Sequence, residues 1–308
     1  MSLTGRTVFV AFDRLRWCRI PKVGTTYIQY ALKEQLNTLE KVHGGSIKRY
    51  RARKRKSFVF VREPYSRLIS GYIDKVLTTP SWWSTVGYDI MKGARVLNGS
   101  DKWTKKCAAY ATFADFINYF IESETSGLHR NPHFIPIHDQ CHLCQRNYTF
   151  LGHLETFRED LAHILKSVNV SVQIVPLEEK TILRKTAEVL TDGLKYVRMC
   201  TDKFTVMKSL WLSFQVRGYI SEDMKLPVSR NQSEKISGEQ FGNLASNAHL
   251  FSKDNFNHTQ QRKNMISKMY RQIPLHQRLL VKKILEKDFL MSQYDPLPAE
   301  VFPEFSKP

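Results

Sequence analysis

The sequence predicts an α/β fold with a central parallel sheet flanked by helices. Two observations carry that prediction. A β-rich stretch, Arg14 to Ile20, runs into the polar glycine loop Lys22-Val23-Gly24-Thr25-Thr26 and then into an amphipathic helix. A second apolar run, Phe58-Val59-Phe60-Val61, leads through Arg62 and Glu63 to Pro64 and another helix. Two strand–loop–helix units in succession are the pattern of a parallel sheet. Ligands of such sheets bind at the carboxyl ends of the strands, and Lys22 and Arg62 both stand at that end.

The elements follow in order. Thr7 to Phe12 is a further β-rich stretch ahead of the first unit. The first helix shows apolar positions Ile28, Ala31, Leu32, Leu36 and Leu39 at helical spacing. The Phe58–Val61 run suits a strand buried on both faces. Pro64 suits a first helical position, and Tyr65, Leu68, Ile69, Tyr72 and Val76 then share a face. Thr112 and Asp115 form a capping box with Asp in place of Glu, opening a helix through Phe113, Phe116, Ile117, Phe120 and Ile121. Tyr148 to Gly152 reads as a strand. Thr156 and Glu159 form a second capping box before Leu161, Ile164 and Leu165. Glu178 to Asn264 is mixed and polar, with helices and loops expected, and a last helix runs from Leu275 to Phe289.

Composition narrows the partners. The 308 residues carry 47 Lys and Arg against 29 Asp and Glu, a formal net charge of +18. Such an excess attracts polyanions: nucleic acid, anionic membrane, or sulfated and uronate-bearing sugars. No run of about 18 apolar residues is present to cross a bilayer. Sequons for N-glycosylation stand at Asn98, Asn147, Asn169, Asn231 and Asn257, which favours a secretory lumen. A basic run, Lys48 to Lys56, holds seven Lys or Arg in nine residues and reads first as a solvated face.

Chemistry concentrates in three places. A glycine loop before a helix lets backbone amides approach an anion, and the helix N-terminus favours negative charge. Thr25 and Thr26 add hydroxyls and Lys22 a mobile charge. The nucleotide P-loop has its lysine after the second glycine; here the lysine precedes Gly24, so an ordinary tight turn fits this segment as well. Arg62 offers a fork of donors suited to phosphate, and Ser70, eight residues on, returns to the same helix face. Arg67 has the spacing to pair with Glu63. Between 129 and 144 lie His129, His133, His138, His142, Cys141 and Cys144. No second Cys/His pair follows at zinc-finger spacing. A local disulfide or two partnered thiols is the expected state of Cys141 and Cys144, and no metal is implied. A histidine titrates near neutrality and can serve as a base; a core or surface histidine is the plain alternative.

Together these residues resemble the Golgi carbohydrate sulfotransferases, closest to the chondroitin and dermatan 4-O-sulfotransferase group. Pro21 to Thr26 resembles the family's 5′-phosphosulfate loop, and Arg62 to Ser70 its 3′-phosphate motif. Trp17-Cys18-Arg19-Ile20-Pro21-Lys22-Val23, His133-Phe134-Ile135-Pro136, the Cys141–Thr156 segment and Leu285–Tyr294 are similar to further family segments. The family usually carries Cys where this chain has Thr25, and Trp where it has Phe134. The resemblance implies a P-loop-like sulfotransferase fold in a single domain, 1–308, with a poorly matched insertion at about 178–264. It implies the sulfuryl donor 3′-phosphoadenosine 5′-phosphosulfate (PAPS), the product adenosine 3′,5′-bisphosphate, and an acidic glycan acceptor rather than nucleic acid. It also implies a Golgi-lumenal location with a membrane anchor that is not among these residues. Lys22, Gly24, Thr25, Thr26, Arg62 and Ser70 would hold the donor, with Lys22 and His133 catalytic and Glu63 or Asp74 as competing bases. A nucleotide kinase-like P-loop enzyme and a non-enzymatic polyanion-binding protein are the alternatives.

Overall fold

The computed structural model describes residues 8–12, 14–29, 55–83, 85–93, 111–170, 179–192, 201–253 and 257–305. The expected helix positions Ala31, Leu32, Leu36 and Leu39, the basic run up to Lys54, and Asn98 lie outside the described residues. The chain forms two compact units that interleave in sequence. The first gathers Met1–Arg67, Arg130–Leu177 and Leu285–Asp295; the second gathers Leu68–His129, Glu178–Ile284 and Pro296–Pro308.

The first unit holds the sheet, in the order β1 (Val8–Phe12), β2 (Leu15–Arg19), β3 (Lys56–Val61) and β4 (Phe150–His153). Strands β2, β3 and β4 are parallel, and β1 is an antiparallel edge paired with β2 from Val8↔Arg19 to Phe12↔Leu15. The expected parallel sheet is therefore present, with one reversed strand at its edge. Phe58, Val59, Phe60 and Val61 are all buried, as a strand covered on both faces requires. The ring of Trp17 stacks on Phe58 at 6.2 Å, and Phe60 meets Phe157 at 5.1 Å. Each such ring taken from water contributes roughly 1.5–3 kcal/mol. Gly152 pairs with Phe60 across the ladder, and a Cβ there would stand 2.6 Å from the Phe60 ring. Only glycine leaves room for that ring.

Helices close the unit. Helix α1 opens at residue 25 and is described to 29. It is followed by α2 (Pro64–Tyr72), which starts on proline as expected. Helices α3 (Val86–Gly93) and α4 (Phe113–Ser126) belong to the second unit, and α5 (Ile137–Cys141) and α6 (Phe157–Lys166) to the first. Leu161, Ile164 and Leu165 of α6 are buried in the sheet's core. The second expected capping box does not form. Thr156 donates its hydroxyl to Asp160 at 2.7 Å, and the same carboxylate oxygen accepts the His153 amide at 2.8 Å. Asp160 lies one residue beyond Glu159 and ties the end of β4 to α6, which Glu159 does not.

The cysteine expectation is also corrected. Cys141 is bridged to Cys18 on β2, with Cα atoms 6.1 Å apart, and Cys144 is free and exposed. Cys141 is buried where α5 meets the sheet, whereas His142, at φ 51°, ends the helix and leads to the exposed turn carrying Cys144.

The second unit is helical where described. The Thr112–Asp115 capping box forms as expected: the Asp115 amide donates to Thr112 Oγ1 at 3.1 Å, and the Thr112 amide to Asp115 Oδ2 at 2.8 Å. A π-helical turn, Ile73–Leu77, continues α2. The mixed 178–264 segment contains α7 (Glu179–Asp192), α8 (Lys203–Val216), α9 (Arg230–Ser233), α10 (Gly238–Lys253) and the first half of α11 (His258–Arg271), with α7 packed on α10. The expected last helix is two helices, α12 (Leu275–Ile284) and α13 (Glu286–Ser292), because Leu285 leaves helical geometry at φ −91°, ψ 5°. The break puts Asp288 in the first turn of α13, where its carboxylate is used. Among the described residues no helix is long and apolar enough to cross a membrane.

The Cys18–Cys141 bridge spans a separation of 123 residues. Closing so long a loop restricts the unfolded chain by about 5 kcal/mol in the entropic treatment. A Cys18→Ala/Cys141→Ala double variant should lose about 3–5 kcal/mol in urea unfolding under non-reducing conditions. Equal stability would mean that the bridge does not hold the folded protein.

Candidate active site

At the carboxyl end of β2 the chain passes buried Ile20, turns at Pro21, and takes left-handed conformations at Lys22 (φ 72°) and Gly24 (φ 79°). Val23 between them is buried and pins the loop to the core. A lysine at positive φ costs on the order of 1 kcal/mol. Gly24 is needed twice: for its φ, and because a Cβ there would stand 2.9 Å from Leu154 Cδ1. Its carbonyl accepts the Ile28 amide at 3.1 Å, starting α1. Thr25 donates its hydroxyl proton to the Ile20 carbonyl, so in this arrangement that hydroxyl holds the loop's own backbone. Thr26, the next residue, is exposed.

Arg62 leaves the end of β3, the strand beside β2, and its Nη1 donates to the Lys22 carbonyl at 3.3 Å. The structure thus brings Lys22 and Arg62 together at one end of adjacent parallel strands. Glu63 heads α2. Its carboxylate accepts the amides of Tyr65 at 2.9 Å and Ser66 at 2.6 Å. Burial pushes the Glu63 carboxyl above its ordinary value, against the pull of those amides and of Arg62.

Arg67 is almost fully buried, at 1% exposure. Its Nε donates to the Pro21 carbonyl at 3.2 Å and its Nη1 to the Ile135 carbonyl at 2.8 Å. One guanidinium therefore ties the Lys22 loop to the segment that carries His133. That segment is held at further points. Gln140 also donates to the Ile135 carbonyl, at 3.0 Å. Asp288 of α13 accepts the amides of Ile137 and His138 and the His138 ring nitrogen Nδ1, at 2.7, 2.9 and 2.8 Å. Cys141 closes the segment with its bridge to β2.

His133 is partly buried. Its backbone amide and its ring Nδ1 both lie 3.0 Å from Asn131 Oδ1. An atom that accepts a backbone N–H is the amide oxygen, so Nδ1 must carry the ring proton. The lone pair of the neutral ring is then on Nε2. Ser70 lies outside this set. It is partly exposed, two turns along α2, in the stretch that clusters with the second unit. Asp74, the other carboxylate considered, is also in that unit, with Lys75 Nζ at 3.2 Å.

Comparison with known proteins decides the family. Residues 6–196 match the sulfotransferase family. The chain belongs to that family. The chain is similar to carbohydrate sulfotransferase 14 of Danio rerio, 29% identical over 175 residues that make up 56% of this chain and 46% of that protein. It is 30% identical over 182 residues to carbohydrate sulfotransferase 11 of Rattus norvegicus, covering 56% of this chain and 51% of that one. Against carbohydrate sulfotransferase 12 of Mus musculus the figures are 31% over 127 residues, 40% and 30%. The chain spans about half the length of these relatives, or less. No solved structure matches it.

Sequence reasoning missed the braces of these loops. Helical spacing offers Arg67 a pair with Glu63 and gives no sign of its bonds to the Pro21 and Ile135 carbonyls, 46 and 68 residues away. Asp288 and Asn131 carry no local signal either, apart from the Asn-Pro turn that Asn131 begins. Tyr294 donates to Glu155 at the end of β4, and burial together with that carboxylate raises its phenol well above the ordinary value.

Arg67→Ala should lower the free energy of unfolding by about 3–5 kcal/mol, since it takes a donor from the Pro21 carbonyl, leaves the Ile135 carbonyl with Gln140, and opens a cavity in the core. Arg67→Lys should recover less than half, because an ammonium cannot present two donors in a fixed fork. A loss below about 1 kcal/mol in urea unfolding would contradict the clamp.

Proposed function

We propose that this sulfotransferase moves a sulfuryl group from PAPS to a hydroxyl of an acidic glycan such as chondroitin or dermatan, leaving adenosine 3′,5′-bisphosphate. The observation that carries the reading is the hydrogen bond from Arg62 to the Lys22 carbonyl, which joins the two motif loops at the carboxyl ends of neighbouring parallel strands. The names of the relatives and the net charge of +18 support a carbohydrate acceptor of acidic kind.

The residues fit such a donor. The left-handed turn at Gly24 leads directly into α1, whose first amides have no partner within the helix and suit an anion. When bound, PAPS supplies the sulfuryl group and a leaving 5′-phosphate. Lys22, Thr26 and the first amides of α1 stabilise charge that grows on that phosphate, and Thr25 joins them if its hydroxyl turns from Ile20. Fixed donors aimed at developing charge are usually the largest catalytic contribution. Arg62 and Ser70 hold the 3′-phosphate. His133 takes the proton of the acceptor hydroxyl on Nε2, with Nδ1 steadied by Asn131. Glu63 is the weaker candidate, because its oxygens already serve α2.

We take residues 1–308 as one sulfotransferase domain with an insertion at about 178–264. The reading carries with it a Golgi-lumenal location and an anchor upstream of these residues. The exposure of Asn147, Asn169, Asn231 and Asn257 leaves those sequons open to glycosylation.

Labelled sulfate from PAPS should pass to at least one member of a panel of chondroitin, dermatan, heparan and desulfated forms. Lys22→Ala should cut kcat by about 10²–10³-fold. His133→Ala should cut it by about 10²–10⁴-fold and remove the acidic limb of the pH profile, leaving donor affinity nearly unchanged. A folded protein that binds these glycans but sulfates none would be a polyanion-binding protein instead.

A further inference from the structure

Beyond the family match, which ends at residue 196, the second unit contains a groove of about 820 Å³ between α8 and the segment that leads to α9. Its wall is built rather than loose. Trp211 of α8 donates through Nε1 to the Met224 carbonyl at 2.7 Å, and the Gln215 amide donates to the carbonyls of Ser221, Glu222 and Met224 at 3.1, 2.9 and 3.1 Å. These bonds fix the 221–226 backbone along the helix. The opening is ringed by cations. Lys208, Lys225 and Arg230 line it, with Phe204 half-buried among them. The Phe204 ring lies 5.9 Å from Lys208 Nζ and 5.2 Å from the Arg230 guanidinium carbon.

The charge is in excess at this place. The carboxylate lining the groove, Glu222, is paired with Lys268, and Arg230 is paired with Asp202. Among the described residues neither Lys208 nor Lys225 has a carboxylate partner. Both are exposed and free to reorient toward a ligand. The volume lies within the range of ligand sites. It combines an aromatic surface, hydroxyls at Thr205 and Ser209, and two cations without acidic partners. That set suits a sugar ring for stacking and hydrogen bonding, with carboxylate or sulfate groups for the lysines.

We propose that this groove binds a segment of a linear anionic glycan, so that the chain beyond the family match grips the acceptor polymer. This rests on the acceptor class proposed above. Charge complementarity chooses the occupant: a nucleic acid or an anionic lipid surface would use the same lysines but would not need the rigid, hydroxyl-lined wall.

The test uses the full chain and a chondroitin sulfate hexasaccharide, titrated at low and moderate salt. A Lys208→Glu/Lys225→Glu variant should bind it at least tenfold more weakly, and its binding should depend less on salt, since fewer counterions are released. In the transfer assay, KM for polymeric chondroitin should rise about tenfold. Adenosine 3′,5′-bisphosphate binding should stay within twofold of the parent, which also shows that the variant is folded. Hexasaccharide binding within twofold of the parent overturns the proposal. So does tighter binding, through these lysines, of charge-matched RNA or phosphatidylserine vesicles. A parent that binds glycan through the groove yet transfers no sulfate would leave the groove standing and sink the proposed reaction.

Discussion

A buried guanidinium, that of Arg67, sets the terms for the rest of the first unit. A charge with 1% exposure is tolerable only with donors satisfied nearby, because desolvation costs several kcal/mol. Its Nε and Nη1 donate to the carbonyls of Pro21 and Ile135, in two loops far apart in sequence. Because the guanidinium is planar and rigid, both loops must keep a fixed separation and orientation to satisfy it. The interaction need not add much net stability. Its effect is to make alternative positions of either loop expensive, so that the two move as one piece.

The same economy of movement recurs along residues 130–141. Asp288 caps the short α5 from α13, the disulfide fixes its last residue to β2, and Arg130 pairs with Asp139. A five-residue helix has little stability of its own. Here it is held at its start by a carboxylate and at its end by a covalent bond. His133 lies just before these anchors, with its ring tautomer chosen by Asn131. Preorganisation of this kind would serve the proton acceptor proposed at His133, since misplacement by about 1 Å costs rate steeply.

The sequence announced the parts of the site that depend on local chain geometry. Strands β2 and β3, the glycine loop, Arg62 at its strand end and the Thr112 cap all follow from patterns a few residues long. What it hid depends on distant partners. Cys141 has a cysteine three residues away, yet its partner is Cys18, at a separation of 123. Thr156 has a glutamate at the right spacing, yet Asp160 also serves the β4 end and takes the hydroxyl. The break at Leu285 is silent in helical periodicity, because the apolar positions continue through it. In each case tertiary contact overrode a sound local preference.

We propose that the two strand-end loops form one site for a nucleotide phosphorylated at both its 3′ and 5′ positions. The most direct measurement is a calorimetric titration of the full chain with adenosine 3′,5′-bisphosphate, set beside adenosine 5′-monophosphate and ATP. The bisphosphate should bind at least about a hundredfold more tightly than the monophosphate, from charge-assisted bonds at the 3′-phosphate. Equal affinity for the two, or a preference for ATP, would contradict it.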